Sequence, residues 1–482
     1  MFTNAHSLIP ITLPAHTSIL TSHRPHKESV FDNGNFFVGK SPLLSEILRK
    51  ENYQTAGFVS LAVLRRAFGL ARGFQKFDDD FASHHRAYRV ASEMNAAAIP
   101  WIKEHRKQPF FAWIHYSDPH EPYITVNAQP DTEMRINGTP VARVCLAKQE
   151  DNIVKFVAAP GETKIDFYGL TPRANLRIYM DRLFWTPADD RIEVQFGKEW
   201  TRYAHGAGGS GRSFNEGHGG ITVRNSGRKP LSMTIGFEGR LYPSVKKIQE
   251  NYVAEVQYVD RHVGILWNKL REFGLLENTI VVLTADHGES LGEHSRIGHL
   301  FPLWGQIIDV PLIIYYPRLG FKGKKVEQIV DHLDIAPTIL DLLRRKVPPS
   351  MEGESLKRYV SWAPLDMLLA KREHRPRALA YTFAPQGRAN MYSVIEGPMK
   401  LIQQRTGADW KWQSYDVQHD PGESKDLFAQ DPSRWNRPPG SAMRSLLNSY
   451  SHEAETAFSK RSDHVLSDEE KEMLRSLGYV SP

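Results

Sequence analysis

The sequence predicts an α/β protein that is interrupted by a β-rich segment. Apolar runs typical of buried strands alternate with amphipathic helical patterns in both the first and the later parts of the 482-residue chain. Between about 124 and 239, short strand-like runs separated by Gly, Pro, Asn and Asp replace that alternation. We therefore expect βα units around a mostly parallel sheet with helices on both faces, and an inserted all-β module of the sandwich type.

The first region, 1–123, supplies part of the α/β domain. The runs "PLLSEILRKENY" and "MNAAAIPWIKEH" have helical periodicity, whereas "TAGFVS" and "PFFAWIHY" are apolar enough for buried strands. The inserted module occupies 124–239 and contains strand-like runs such as "NIVKFVAA", "RIEVQFGKEW" and "LSMTIGF". Alternation of helix and strand resumes only after this module.

The third region, 240–374, completes the α/β domain. An amphipathic helix is predicted from apolar residues spaced 4, 3, 4, 3 and 4 apart, namely Tyr252, Val256, Val259, Val263, Leu266 and Leu270. The runs "NTIVVLT" and "VPLIIYYP" are continuously apolar, as strands covered by helices on both sides are. The last region, 375–482, has short strand-like runs and a polar terminal helix, "SDEEKEMLRSLGYV".

Composition excludes several classes of protein. With 41% hydrophobic and 24% charged residues, the chain is an ordinary globular sequence. A single cysteine, Cys145, excludes an internal disulfide framework and a cysteine-rich zinc site. No apolar run approaches the roughly 18 residues of a membrane span, and the first residues do not resemble a signal peptide. The net charge of +6 is spread along the chain without a basic stripe, so we expect no nucleic-acid partner.

A cluster of possible metal ligands follows the strand "NTIVVLT". Asp286 and His287 come directly after it, at the strand end where open α/β sheets bind ligands. A carboxylate beside an imidazole suits Zn, Mn or Fe, whereas carboxylates alone would favour Ca or Mg. The alternative is an Asp–His pair that only makes hydrogen bonds within a loop. Further candidates near this rim are Asp118, His120, Glu289, Glu293, His294 and His299.

Several ordered blocks of the sequence resemble one family. The blocks "TLPAHTSILTS", "FFAWIHYSDPHEPY", "SYDVQHDPGESKDL" and the long stretch that ends in "TADHGESLGEH" are similar to blocks of the sulfatase family, in the alkaline-phosphatase superfamily. The resemblance covers Phe2 to Tyr123 and about Lys246 to the end. It implies an alkaline-phosphatase-like doubly wound sheet and a small C-terminal α+β subdomain. The β-rich insert has no counterpart in the pattern, and we expect it to influence substrate choice.

The resemblance places Thr12 at the nucleophile position, the first residue of a C/S/T-x-P-x-R motif, and His16 at the position of the motif's arginine. Family members with Cys or Ser there convert it to formylglycine, which Thr12 cannot become. Thr12 therefore resembles the branch of the superfamily whose unmodified hydroxyl forms a covalent phosphoryl intermediate. The alternative is a threonine at a strand end with no reactivity.

By the same resemblance, Asp286 and His287 are expected to bind one divalent metal ion, with the Thr12 oxygen completing the sphere. The ion is Ca²⁺ as in family sulfatases, or Mn²⁺ or Zn²⁺ given the Asp–His pair. His120 is expected to contact the transferred group, and His299 to bind the substrate anion or protonate the leaving group. His16 is a weaker catalytic candidate. The alternatives are a turn hydrogen bond for His120 and loop packing for His299.

The beginning of the chain is unusual beside this pattern. Relatives start with a strand that ends in paired Asp ligands, whereas this sequence opens at a later block, "FTNAHS", so we expect an upstream start or a fragment. Two functions stay open: a metal-dependent hydrolase of sulfate, phosphate or phosphonate esters, and a degenerate, non-catalytic sulfatase-like binding protein. The substrate would be a small molecule or a glycan or lipid ester. Its identity, the localisation and the oligomeric state are left open.

Overall fold

The computed structural model describes most of the chain in two compact units. The described residues are 1–81, 88–120, 123, 132–144, 152–169, 177–186, 191–196, 199–201, 212–214, 218–242, 245–299, 303–320, 323–360, 377–382, 390–406 and 409–460. The first unit comprises Met1–Asp80, Ala87–Tyr116 and Val263–Tyr479, and the second comprises Phe81–Arg86, Ser117–His262 and Val480–Pro482. Each unit is considered separately below.

The elements are labelled in chain order. The strands are β1 (Phe2–His6), β2 (Gln54–Phe58), β3 (Lys76–Asp78), β4 (Phe110–Ile114), β5 (Thr132–Ile136), β6 (Thr139–Val144), β7 (Asn152–Ala158), β8 (Gly161–Gly169), β9 (Arg177–Thr186), β10 (Ile192–Phe196), β11 (Glu199–Thr201), β12 (Arg212–Phe214), β13 (His218–Asn225), β14 (Leu231–Tyr242), β15 (Val281–Thr284), β16 (Ser290–Leu291), β17 (Ile297–Gly298), β18 (Asp309–Tyr315), β19 (Val330–Asp331), β20 (Arg377–Thr382), β21 (Met391–Glu396), β22 (Met399–Thr406) and β23 (Asp409–Asp416). The helices are α1 (Thr12–Thr21), α2 (Leu44–Lys50), α3 (Ala91–His105), α4 (Val245–Glu272), α5 (Gly305–Ile308), α6 (Ile335–Leu342), α7 (Lys357–Val360), α8 (Leu427–Gln430) and α9 (Gly440–Ser459).

A mixed sheet of order β15-β18-β1-β19 forms one part of the first unit. β1 pairs antiparallel with β18 and parallel with β19, so it lies inside the sheet. Its Phe2 and Ala5 are buried against Val310, Leu312 and Val330. This packing holds β15 and β18 together near the loop that follows Thr284.

A parallel sheet of order β3-β2-β4 carries the other strands from the first region. Phe58 of β2 packs on Trp101 of α3, with ring centroids 6.1 Å apart, so the helix covers one face. Because β2 and β4 run parallel, their carboxyl ends meet at the same edge. The segments that follow them, around Ser60 and His115, are therefore neighbours.

An antiparallel sheet of order β20-β21-β22-β23 packs against α9 in the C-terminal part of this unit. Its β22 contains Lys400, whose ammonium donates to Glu423 Oε1 at 2.7 Å. Both side chains are only 1% exposed. Glu423 Oε1 also accepts the backbone N–H of Gly305, the first residue of α5. A buried ion pair thus connects this sheet to α5.

The second unit contains two antiparallel sheets, of order β11-β10-β13-β8-β5-β6 and β12-β9-β14-β7. Its hydrophobic core combines Ile165, Phe167 and Val223 of the first sheet with Ala158 and Met233 of the second. The predicted fold class, mixed α/β with a β-rich insert, is confirmed. The domain boundaries at 123/124, 239/240 and 374/375 stay predictions, and the terminal polar helix lies outside the described residues. No helix in the described part of the chain combines the length and apolar character needed to cross a membrane.

Replacing Lys400 with Met should destabilise the first unit by about 3–5 kcal/mol, because the Glu423 carboxylate would stay buried without its cation. Urea denaturation of the purified protein measures the change in free energy of unfolding. The matched control is Lys269→Met, which breaks an exposed pair with Glu272 and should cost no more than about 0.5 kcal/mol. Equal losses in the two variants would contradict the stabilising role of the buried pair.

Candidate active site

The loop after β15 is fixed by hydrogen bonds from three other segments. Ser7 Oγ donates to the carbonyl of Asp286 at 2.6 Å, and His332 Nε2 lies 3.0 Å from the carbonyl of Ala285. The N–H of Gly288 donates to the carbonyl of Ile307 in α5 at 2.7 Å. The backbone of this loop is therefore held in place at Ala285, Asp286 and Gly288, which fixes the positions of the side chains that it carries.

Gly288 is needed for this arrangement because the chain leaves no room for a side chain. A Cβ atom at this position would lie 2.2 Å from the carbonyl oxygen of Gln306. That atom belongs to the backbone of α5, so it cannot move aside as a flexible side chain would. In the sequence Asp-His-Gly, the glycine thus allows the backbone next to Asp286 and His287 to pack directly against α5.

Asp286 is an anionic carboxylate among imidazole rings. Its Oδ2 lies 3.8 Å from His16 Nε2 and 3.5 Å from His287 Nε2. Burial raises the pKa of the Asp286 carboxyl, but His287, His16 and His115 together outweigh burial and hold the pKa below its usual value. The site therefore keeps a negative charge at neutral pH.

The two imidazoles nearest to this carboxylate are neutral. Burial lowers the pKa of His16 to about 3, and burial also lowers the pKa of His287. Among the described residues, neither ring nitrogen of His16 has a hydrogen-bond partner, and neither does His287 Nε2. Neutral imidazole is the form that binds metal ions, so these nitrogens suit a metal centre.

Thr12 is the first residue of α1 and is fully buried. Its neighbour Leu13 donates its backbone N–H to Asn33 Oδ1 at 2.9 Å, which fixes the start of the helix. Thr12 Oγ1 has no hydrogen-bond partner among the described residues, unlike the hydroxyl of Thr17, which donates to the carbonyl of Leu13. Because His16 follows Thr12 by four residues in the same helix, the two side chains share one helix face.

His115, which the sequence analysis overlooked, also belongs to this site. Its Nδ1 lies 2.8 Å from Ser60 Oγ, and its ring centroid is 4.9 Å from that of His16. His16, His115 and Asp286 each offer one ligand atom, and these atoms lie within 4.8 Å of one another. The signal in the sequence is the position of His115 in "PFFAWIHY", directly after the strand Phe110–Ile114.

The donor set fits a divalent metal ion. Carboxylate and imidazole ligands stand together, and three buried nitrogens lack hydrogen bonds among the described residues. Buried polar atoms are nearly always satisfied in folded proteins, so a bound cation would account for these exceptions.

The His299 ring lies next to the ring of His287. The two ring centroids are 4.2 Å apart. His299 Nδ1 lies 2.6 Å from Glu289 Oε1, and both of these side chains are buried. The carboxylate fixes the orientation of the His299 ring, so His299 is held by Glu289 rather than by loop packing alone.

Two other sequence candidates, Glu293 and His294, are exposed, and the His294 ring stacks on Trp304 with centroids 3.6 Å apart. Asp118 and His120 belong to the second unit, where the His120 N–H donates to the Asp118 carbonyl at 2.8 Å. The predicted catalytic role of His120 stays a prediction.

Two protein-family models match the chain. The model described as Sulfatase matches residues 1–344. A second model, described as N-sulphoglucosamine sulphohydrolase, C-terminal, matches residues 292–435. The chain belongs to the sulfatase family. It is thus a sulfatase-family hydrolase, and members of this family typically hold a divalent metal ion.

Curated relatives are sulfatases. N-acetylglucosamine-6-O-sulfatase of Bacteroides thetaiotaomicron is 25% identical over 462 residues, which are 89% of this chain and 76% of that protein. Arylsulfatase K of Mus musculus is 30% identical over 189 residues, 39% of this chain and 34% of that protein. The family assignment made from the sequence blocks is therefore confirmed.

Solved structures of sulfatases and of a phosphonate monoester hydrolase share the fold. A protein in complex with its substrate D-glucosamine-2-N,6-O-disulfate superposes with a TM-score of 0.59 at 18% identity, covering 94% of this chain and 90% of that one. The phosphonate monoester hydrolase of Agrobacterium radiobacter gives 0.57 at 15% identity, covering 97% and 91%. At these identities the likeness concerns the fold.

Replacing Gly288 with Ala should displace the Asp286–His287 loop, because the new methyl group would overlap backbone atoms of α5. We expect a loss of about 1–3 kcal/mol in the free energy of unfolding and a fall in ester hydrolysis on the order of 100-fold. Thermal unfolding and initial rates measure the two effects. The control is Gly264→Ala in α4, where a Cβ meets nothing within 4 Å and stability should rise by up to about 1 kcal/mol. A Gly288→Ala protein as stable and active as the wild type would contradict the close-packing argument.

Proposed function

We propose that the chain is a metal-dependent hydrolase of sulfate or phosphate and phosphonate esters in which Thr12 is the nucleophile. The observation that carries this proposal is the buried Thr12 hydroxyl, which lacks a hydrogen-bond partner among the described residues and shares a helix face with His16. His16 in turn lies beside the Asp286 carboxylate. An unsatisfied hydroxyl next to metal-binding chemistry is what an activated nucleophile requires.

The reaction has two displacement steps. In the first step, Thr12 Oγ1 bonds to the phosphorus or sulfur atom of the ester while the bond to the leaving oxygen breaks. The hydroxyl proton passes to a neighbouring base, and the neutral imidazole of His287 is the candidate. In the second step, water attacks the same centre and the bond to Thr12 breaks, which releases the anion and restores the hydroxyl. A bound divalent ion would favour the deprotonated hydroxyl and offset the negative charge of the transferred group.

The start of α1 supports this chemistry electrostatically. Thr12 is the first residue of a ten-residue helix. The N-terminus of a helix carries partial positive charge and favours a bound anion. An ester anion that approaches Thr12 would therefore meet a favourable field as well as the nucleophile.

His299 is proposed to bind the substrate anion or to protonate the leaving oxygen. Its hydrogen bond to Glu289 fixes the ring, so Nε2 is the atom presented for this purpose. The short distance between the His287 and His299 rings supports a location next to the metal-binding loop. His120 is kept as a candidate contact to the leaving group on the strength of the sequence resemblance alone.

The chemistry of Thr12 favours phosphorus esters. A formylglycine hydrate can expel sulfate by collapse to an aldehyde, whereas a threonine sulfate ester must be hydrolysed by attack of water at sulfur. One relative is an N-acetylglucosamine-6-O-sulfatase by name, and a phosphonate monoester hydrolase has the same fold. Sulfate esters of amino sugars and aryl phosphonate monoesters are therefore the two substrate classes to compare first.

The alternative is a degenerate sulfatase-like protein that binds a ligand without catalysis. A protein of this kind does not need a reactive hydroxyl at Thr12 or metal-binding side chains at Asp286 and His287. The buried, unsatisfied nitrogens at His16 and His287 favour the hydrolase, because a binding protein gains nothing from their desolvation cost of about 1–3 kcal/mol each.

Replacing Thr12 with Ala should lower hydrolysis of p-nitrophenyl sulfate, p-nitrophenyl phosphate or an aryl phosphonate on the order of 1,000-fold or more, since the attacking oxygen is gone. Thr12→Ser keeps that oxygen and should retain most of the activity. Intact mass spectrometry of acid-quenched protein should show one phosphoryl group on the wild type during turnover of a phosphate ester.

The matched control is Thr17→Ala, which removes another buried hydroxyl of α1, one already bonded to the Leu13 carbonyl. It should leave the rate within a few-fold of the wild type. Equal activity of Thr12→Ala and wild type would contradict the assignment of Thr12 as nucleophile. If correctly folded wild type hydrolysed none of the esters, the non-catalytic alternative would be favoured.

A further inference from the structure

We propose that His16, His115 and Asp286 together bind a transition-metal ion of the Zn²⁺, Mn²⁺ or Co²⁺ type. The inference rests on the proposed function and names the ligands and ion class of its metal site. It departs from the expectation that Asp286, His287 and Thr12 form the sphere. It also departs from the resembled motif, which has an arginine where this chain has His16.

His16 supplies the strongest evidence. Its ring is buried against His115 and Trp113, with centroid distances of 4.9 and 5.2 Å, and neither nitrogen has a hydrogen-bond partner among the described residues. A histidine that served only as core packing would usually bond at least one nitrogen. The chain instead keeps a polar ring where an apolar one would pack at lower cost.

His115 is oriented by a neighbouring hydroxyl. Its Nδ1 lies 2.8 Å from Ser60 Oγ, at the joined carboxyl ends of β2 and β4. In an imidazole the second nitrogen lies across the ring, so this contact directs Nε2 away from Ser60. A hydrogen bond to the remote nitrogen is how proteins fix the tautomer and direction of a metal-binding histidine.

The two carboxylate oxygens of Asp286 have different roles: one makes a backbone hydrogen bond, and the other faces His16. Oδ1 accepts the backbone N–H of His287 at 3.0 Å, whereas Oδ2 lies 3.8 Å from His16 Nε2. Two donor atoms that each lie about 2.0–2.2 Å from one ion are separated by at most about 4.4 Å. The His16–Asp286 separation is within this limit. The three ligand atoms all lie within 4.8 Å of one another, which is only slightly more than the limit.

The ligand types select the ion. Ca²⁺ takes six to eight oxygen ligands, and Mg²⁺ also prefers oxygen, whereas imidazole suits Zn²⁺ and its first-row neighbours. Two imidazoles and one carboxylate form a three-ligand set typical of catalytic zinc, which leaves a position for substrate or water. His287 Nε2, 3.5 Å from the same Asp286 oxygen, is the competing imidazole that an experiment must separate.

The test measures binding of the metal alone. Chelator-treated protein is titrated with Co²⁺, Zn²⁺ and Ca²⁺, using the visible absorption of Co²⁺ and competition with a chromophoric chelator. We expect one Co²⁺ or Zn²⁺ per chain, bound at least 100-fold more tightly than Ca²⁺. His16→Leu and His115→Ala should each weaken binding by 100-fold or more, and Ser60→Ala by about 10–100-fold. The control is His419→Ala, which removes an exposed histidine paired with Asp416 and should bind as wild type does.

Thermal unfolding separates ligation from packing. In metal-free protein, His16→Leu should keep or raise Tm, because an unsatisfied buried imidazole is replaced by an apolar group. Zn²⁺ should raise the Tm of wild type and of His419→Ala, but not that of His16→Leu. A purely structural His16 would give the opposite pattern, with a lower Tm in the absence of metal and an unchanged response to Zn²⁺.

The outcomes distinguish this inference from the proposed function. Preference for Ca²⁺, or no binding of any ion, would overturn the inference. The inference would also be overturned if His287→Ala lost Zn²⁺ binding while His16→Leu and His115→Ala bound Zn²⁺ as tightly as the wild type. Hydrolysis that depends on Thr12 would be compatible with that result. Conversely, Zn²⁺ bound through His16 and His115 in a protein whose hydrolysis survives Thr12→Ala would support the inference while the nucleophile assignment fails.

Discussion

The carboxylate of Asp286 is the charge around which the candidate site is organised. Its side chain is only 19% exposed, so neighbouring groups must offset part of its negative charge. The surrounding imidazoles lower its pKa but are themselves neutral when buried, as the lowered pKa of His16 shows. Dipoles of neutral rings cannot replace a full positive charge. The arrangement therefore favours a bound cation beside Asp286.

The position of this carboxylate depends on a chain of contacts that begins far away in sequence. Lys400 and Glu423 form a buried pair, and Glu423 also holds the N–H of Gly305 at the start of α5. The carbonyl of Ile307 in α5 then accepts the N–H of Gly288. The C-terminal sheet thus positions the Asp-His-Gly loop through one short helix.

Sequence reasoning reached the site where local patterns carry the information. Asp286 and His287 follow a strongly apolar strand, and Thr12 lies in a recognisable block, so all three are candidates from the sequence, and their roles stay predictions. His115 was missed although it directly follows β4, because its relevance depends on β2 and β4 being parallel neighbours. That pairing brings Ser60 beside it from 55 positions away in the chain. The Lys400–Glu423–Gly305 contacts were also beyond reach, since buried ion pairs have no periodic signature.

His16 shows how a histidine in place of the arginine of the resembled motif can change the chemistry of the candidate site. An arginine at this position would bring a permanent cation to the Asp286 carboxylate and satisfy it directly. Histidine is shorter, and here it is neutral because burial lowers its pKa to about 3. The site then lacks a built-in positive charge and gains a nitrogen lone pair. Both changes act in the same direction, because the carboxylate needs a cation and the new lone pair can bind one. With Thr12 in place of a residue that becomes formylglycine, the substitution is consistent with a centre that activates an ordinary hydroxyl by a metal ion rather than by covalent modification.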